Sequence, residues 1–204
     1  MTSNKRIVFV NNYRDVERGR NALSNVARCT GQTPILVEHD ASNLVDLVTT
    51  IEPSLMLLSG SEFLLSKPGT RQRFKQEMEL VSKATFPVLG ICFGHQLIGT
   101  AFGTGMVDLG QMIRRFENVN VLDHNALFEN LPSTISVAAS HRQVLDRVPD
   151  GFARLAQSAT SDIEAIGHKS LPIFGLQFHP ERADEIHPHG RTLLRNMVHL
   201  SKAA

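Results

Sequence analysis

Three residues of this chain have the types and spacing to do covalent chemistry: Cys92, His179 and Glu181. Cys92 sits in the run FPVLGICFGHQLIGTAFG, with Gly90 two positions before it and Gly94 two positions after. Pro87 to Ile91 is uncharged and apolar, the pattern of a strand buried on both faces of a parallel sheet. From His95 onward, Leu97, Ile98, Ala101 and Phe102 recur at helical spacing. A cysteine between such elements stands on a sharp strand-to-helix turn, where the backbone passes close to itself and small flanking residues avoid a clash. The turn places the thiol at a helix N-terminus. There the positive end of the helix dipole favours a thiolate, and the amide of Phe93 can face a developing oxyanion. Taken alone, the stretch also fits a small buried cysteine in a glycine-rich turn.

A thiol nucleophile needs a base, and nine histidines are too many to choose among by composition. Position narrows the choice. Phe174 to Phe178 reads as an apolar strand whose end presents His179, Pro180 and Glu181. In open α/β sheets chemistry collects at the carboxyl ends of the strands, so His179 reaches the rim that carries Cys92. Glu181 is placed to accept a hydrogen bond from the imidazole, fixing its tautomer and stabilising the imidazolium. His179, His187 and His189 also lie close in sequence, but an H-P-H spacing on a loop matches no strong ligand pattern, and no metal is expected.

The elements that must position these groups alternate along the first half. Strands are expected at Arg6 to Val10, Pro34 to Val37, Leu55 to Leu58 and Pro87 to Ile91. Between them fall a helix from Asp15 to Arg28, presenting Val16, Leu23, Val26 and Ala27 and ended by Gly31; a helix capped by Ser42 and stopped at Pro53; and a charged helix from about Thr70 to Lys83. This alternation predicts an open, mostly parallel sheet flanked by helices. After Gly103 the texture changes. Met106 to Asp108, Ile113 to Asp123 and Ile135 to Ala139 read as strands, Asn125 to Leu131 as a short helix, and Ile163 to Gly167 with Pro172 to Phe178 as a hairpin. These add antiparallel strands to the same domain, VPDG at 148–151 marks a turn, and a last helix over Arg191 to Leu200 packs back on the sheet.

Length and composition set the bounds. A chain of 204 residues fits one domain, here 1–204, and 21 Lys and Arg against 20 Asp and Glu point to neither a nucleic acid nor a membrane partner. The apolar run near the start is too short for a signal peptide or a spanning helix, so a cytoplasmic protein is expected. With Cys29 the only other cysteine, no disulfide framework exists, and Cys29, near a helix end, reads as structural.

GICFGHQ (Gly90 to Gln96) and FGLQFHPE (Phe174 to Glu181) resemble the signature motifs of the class I, or triad-type, glutamine amidotransferases, in matching order and separation. The resemblance covers nearly the whole chain and implies a flavodoxin-like fold. It further implies hydrolysis of glutamine through a γ-glutamyl thioester, with Cys92 as nucleophile, His179 as general base then acid, and Glu181 as its orienter. It implies an oxyanion hole from the amides of Phe93 and Gly60, the latter in LLSGSEF, where Ser61 and Glu62 depart from the family's usual glycine or proline. It also implies substrate contacts from Gln96 and from the Ser140 and His141 segment, and no cofactor. Such domains release ammonia to a synthetase, and none is attached here. Within the family, SHRQVLDRVPDGFARLAQS resembles the branch that serves an ATP-dependent, XMP-activating synthetase subunit in GMP synthesis. A freestanding hydrolase of γ-glutamyl amides or peptides would use the same three residues, and an inactive binding module is the remaining alternative.

Overall fold

The computed structural model describes residues 6–203. Among them the strands form one nine-stranded sheet in the order β2-β1-β3-β4-β9-β8-β7-β5-β6. Its parallel half comprises β1 (Ile7–Asn11), β2 (Ile35–Glu38), β3 (Leu55–Leu58), β4 (Val88–Ile91) and β9 (Ile173–Leu176). Its antiparallel half comprises β5 (Met106–Val121), β6 (Thr134–Leu145), β7 (Phe152–Ser158) and β8 (Ala165–His168), with β8 joining β9. The expected sheet, with antiparallel strands added in the second half, is therefore present.

The apolar strands are buried on both faces because helices cover both. Ile7, Phe9, Leu55, Leu57, Leu89 and Ile91 pack with α1 (Val16–Thr30) and α6 (His189–Ala203). The alternate residues Val8, Val10, Met56, Leu58 and Val88 pack on the other face with α2 (Leu44–Ile51), α4 (Lys75–Ser82) and α5 (Phe93–Ala101). Among the described residues, no helix is long and apolar enough to cross a membrane. Asp15 caps α1 by accepting from the amides of Glu17 and Arg18, and Gly31 ends it at φ 73°.

Several local expectations are corrected. Val16 is 53% exposed, because in the first turn of α1 it lies on the side away from Ala22 and Val26. Asn43, not Ser42, stands at the N-cap of α2. The charged helix divides into α3 (Thr70–Arg73) and α4 at Phe74, whose buried ring packs edge-on against Phe63 and Phe93 and stacks on His39. Filling that aromatic pocket turns the backbone out of helix at φ −96°, ψ 17°. Met106 to Asp108 and Ile113 onward are one strand interrupted by a register shift between Asp108 and Ile113, and it ends at Val121. β6 runs on to Leu145, and the expected helix at Asn125 to Leu131 is one 3-10 turn, Ala126–Phe128. β7 has no counterpart among the expected strands, since Arg154 and Gln157 break its apolar pattern.

Phe74→Ala should destabilise the chain by about 3–5 kcal/mol through the cavity it opens, whereas Val16→Ala should change stability by less than about 0.5 kcal/mol. Urea unfolding of the two variants checks both.

Candidate active site

Cys92 occupies the turn between β4 and α5 with φ 51°, ψ −98°, a left-handed conformation rare for a non-glycine residue and costing roughly 1–3 kcal/mol. Its neighbours explain how the turn closes. A Cβ on Gly90 would stand 2.5 Å from the carbonyl group of Gly94, and one on Gly94 would stand 2.5 Å from the Leu58 carbonyl oxygen. Both glycines are thus required by backbone contact. The Cys92 amide donates to Leu176 O at 2.7 Å and that of Gly94 to Ser59 O at 3.1 Å, so the turn is pinned to β9 and to the residue after β3. Phe93 opens α5, and its amide is one of the first in the helix, which have no intrahelical acceptor.

His179 lies three residues beyond β9 and is held there by its own amide, which donates to Ala138 O at 2.8 Å. Its Nδ1–H donates to Glu181 Oε1 at 2.7 Å, and the ring also hydrogen-bonds with Cys92. All three side chains are buried. Burial pushes the imidazolium down, but the Glu181 carboxylate and the Cys92 sulfur outweigh it and bring the His179 pKa up to about 9. Burial likewise raises the Glu181 carboxyl, and the opposing pull of His179 leaves it below the ordinary carboxylate value. The structure therefore brings together the three residues that sequence reasoning selects.

Cys92 is only 4% exposed. Its Sγ–H donates to Ser140 O at 3.6 Å, and Ser140 and Glu181 both form walls of a cleft of about 360 Å³ whose rim carries Arg18, Arg114 and Arg182. The cleft thus reaches the residues that touch the sulfur. Gly60 is equally close to the imidazole: a Cβ there would stand 2.8 Å from His179 Cε1 and 2.8 Å from the Tyr13 hydroxyl. Ser61 and Glu62, the departures from the family pattern, tie this loop down. Ser61 Oγ–H donates to Asn12 O at 2.7 Å and accepts from Phe63 N at 3.0 Å, while Glu62 takes Arg18 Nη1 at 2.9 Å and Arg14 N at 3.1 Å.

The remaining expected site residues have more internal surroundings. Gln96 is buried rather than lying on a solvated helix face, and its Nε2 donates to Gln143 O at 2.6 Å and Gln177 Oε1 at 3.2 Å. His141 is also buried, with neither ring nitrogen hydrogen-bonded, and burial brings its pKa down to about 4. The three nearby histidines have separate partners. His187 stacks on Phe116 at 3.6 Å and meets Asp184, while His189 Nδ1 accepts from Ser136 N at 3.0 Å. Among the described residues no group of three or more His, Cys, Asp or Glu is arranged to hold a metal. Cys29 is buried on α1 and free, its sulfur 3.9 Å from Glu181 O.

Two residues near the centre escape the sequence reading. Gln177 Nε2 donates to Cys92 Sγ at 3.8 Å, and its place inside FGLQFHPE is the available signal. Tyr13 meets Arg182 through its hydroxyl and is held protonated by burial and by the Glu181 charge, but nothing in its local sequence pattern points to the site.

The comparisons with known proteins agree with this architecture. A family model described as glutamine amidotransferase class-I matches residues 11–200. The A chain of the glutamine-hydrolyzing GMP synthase of Methanopyrus kandleri is 37% identical over 155 residues, covering 74% of this chain and 81% of that one. Among solved structures, a Thermoplasma acidophilum protein assigned to the same GMP synthase component superposes with a TM-score of 0.80 at 25% identity, over 98% of this chain and 96% of that one. A glutamine amidotransferase of Thermotoga maritima shares the fold, with a TM-score of 0.73 at 17% identity over 99% of this chain and all of that one. The chain belongs to the class-I glutamine amidotransferases.

Proposed function

We propose that the chain hydrolyses glutamine to glutamate and ammonia through a γ-glutamyl thioester on Cys92, and that a separate ATP-dependent synthetase subunit uses the ammonia in the last step of GMP formation. The observation that carries the chemistry is the buried line Cys92, His179, Glu181, with the imidazole bonded on both sides. In the first half, the Cys92 sulfur adds to the side-chain carboxamide carbon of glutamine and its proton passes to His179. The resulting oxyanion is met by the amides of Phe93 and Gly60. His179 then gives its proton to the nitrogen as the C–N bond breaks, releasing ammonia and leaving the thioester. In the second half, water adds to the same carbon, losing a proton to His179, and the C–S bond breaks to free glutamate and restore the thiol. Glu181 stabilises the imidazolium in both halves without taking the proton.

The acceptor is read from the relatives: the curated matches are named as one of the separate subunits of GMP synthase, so a second subunit is the natural recipient. The site residues also support an enzyme over a binding module, because an imidazolium held up to about 9 inside a protein needs the compensating charges found here.

Cys92→Ser should lower glutamine hydrolysis by at least about a thousandfold while circular dichroism stays native; activity near wild type would remove Cys92 from the mechanism. The reading of the partner is checked by adding a GMP synthase synthetase subunit with XMP and ATP, which should speed glutamine hydrolysis and yield GMP. Failure of any such subunit to do so would leave a freestanding hydrolase. Glu181→Gln should cost stability in a defined window. The His179 pairing contributes fully below the ordinary imidazole value of 6.5 and fades as pH rises through about 9. The lowered Glu181 contributes above its ordinary value of 4.5 and fades in acid. The difference in Tm between wild type and variant should therefore peak between these ordinary values and shrink toward either extreme.

A further inference from the structure

Away from the three central residues, a buried polar chain runs from α4 to the loop that carries Gly60. Asn12, completely buried after β1, is its hub. The Asn12 amide donates to Ser59 Oγ at 2.8 Å, and its side-chain Nδ2 donates to Ser59 O at 3.3 Å and to Glu77 Oε1 at 2.9 Å. Its carbonyl accepts from Ser61 Oγ at 2.7 Å. Ser59 Oγ–H in turn donates to Gly60 O at 2.9 Å. Every residue from 59 to 61 is thereby held, directly or through Ser59, by Asn12.

This fixes two peptide planes. Ser59 O takes Gly94 N and Asn12 Nδ2, so the trans Ser59–Gly60 peptide must point its Gly60 N–H the opposite way. The bond from Ser59 Oγ to Gly60 O fixes the next plane in the same manner. An oxyanion donor is useful only where its N–H stands within about 3 Å of the developing charge before reaction begins. What holds these planes therefore bears on the rate.

Glu77 is fully buried, and two acceptors in this chain of contacts lack partners, Glu77 Oε2 and Asn12 Oδ1. They belong to side chains already joined by one hydrogen bond. A single proton on Oε2 satisfies both, closing the two-bond ring that a carboxylic acid forms with a primary amide. We propose that Glu77, as a neutral acid paired with Asn12, is a positioning residue that holds the Ser59–Gly60–Ser61 loop in the orientation needed for oxyanion stabilisation. Burial raises the Glu77 pKa to about 8, with Asn12 the only group opposing it, which agrees with a protonated side chain at neutral pH. The inference rests on the glutaminase reading and extends it to a residue on a helix that otherwise takes no part in the chemistry.

Glu77→Gln supplies the same ring without a titratable proton, since its amide can donate to Asn12 Oδ1 and accept from Asn12 Nδ2. Glu77→Leu removes it at similar volume. Steady-state glutamine hydrolysis by the full chain should give kcat near wild type for the Gln variant and roughly tenfold or more below it for the Leu variant, with KM changed less than about threefold. The Leu variant should also lose affinity for L-glutamate γ-semialdehyde, whose thiol adduct carries the tetrahedral oxygen, while iodoacetamide alkylates Cys92 at an unchanged rate. Should Glu77→Leu fail to fold, Ser59→Ala repeats the test by deleting only the hydroxyl, with the same expected split. Wild-type kcat and aldehyde affinity in Glu77→Leu or Ser59→Ala would overturn the proposal, as would an equal loss in Glu77→Leu and Glu77→Gln. A wild-type chain that neither hydrolyses glutamine nor binds the aldehyde would instead overturn the glutaminase reading.

Discussion

The structure depends on one backbone conformation, the left-handed turn at Cys92. Holding a side-chain-bearing residue at φ 51° costs energy that must be recovered from the surroundings. Here the recovery comes from three directions at once. Leu176 O takes the Cys92 amide, Ser59 O takes the Gly94 amide, and Gly90 and Gly94 let the backbones of β4, α5 and β3 touch. Each contact comes from a different strand, so the turn exists only when β3, β4 and β9 lie side by side. The nucleophile and the sheet register are therefore one constraint.

That constraint also determines the electrostatics. Because β4 pairs with β9, the residues that follow each strand leave the sheet at the same rim, and His179 arrives beside Cys92 inside the protein rather than on its surface. Burial alone would strip the imidazole of its proton. A carboxylate at 2.7 Å reverses the outcome, since charges interact more strongly where water is excluded. Glu181 can supply this only because Pro180 and the 3-10 turn Pro180–Arg182 bring it back toward the ring.

Much of this is legible in the sequence because the key signals are local. Gly90, Cys92 and Gly94 encode the turn by sterics, and an apolar run ending in His179 encodes a strand that delivers its last polar groups to the rim. The strands of the parallel half, which are short and apolar, are readable for the same reason. What escapes depends on tertiary packing. Phe74 has ordinary helix neighbours and breaks the helix only because Phe63, Phe93 and His39 wait for its ring. β7 alternates poorly because it is shared between two antiparallel neighbours with differing exposure. Tyr13 and Glu77 sit on elements far from Cys92 in sequence, and no spacing rule links them to it.

The loop after β3 shows how a departure from a family pattern is accommodated. A glycine or proline at the position of Ser61 sets the backbone through its own geometry. Ser61 does so through partners instead, with its hydroxyl bridging Asn12 O and Phe63 N, while Glu62 is clamped by Arg18 and the Arg14 amide. Intrinsic geometry has been exchanged for hydrogen bonds to the turn after β1. Such bonds are worth about 1 kcal/mol each, so several together can hold a loop that any one would leave loose. The exchange makes the Gly60 loop dependent on Asn12 and its neighbours. The β1–α1 turn therefore belongs to the machinery of the site, although its only link to the Cys92 sulfur is the charge coupling of Tyr13.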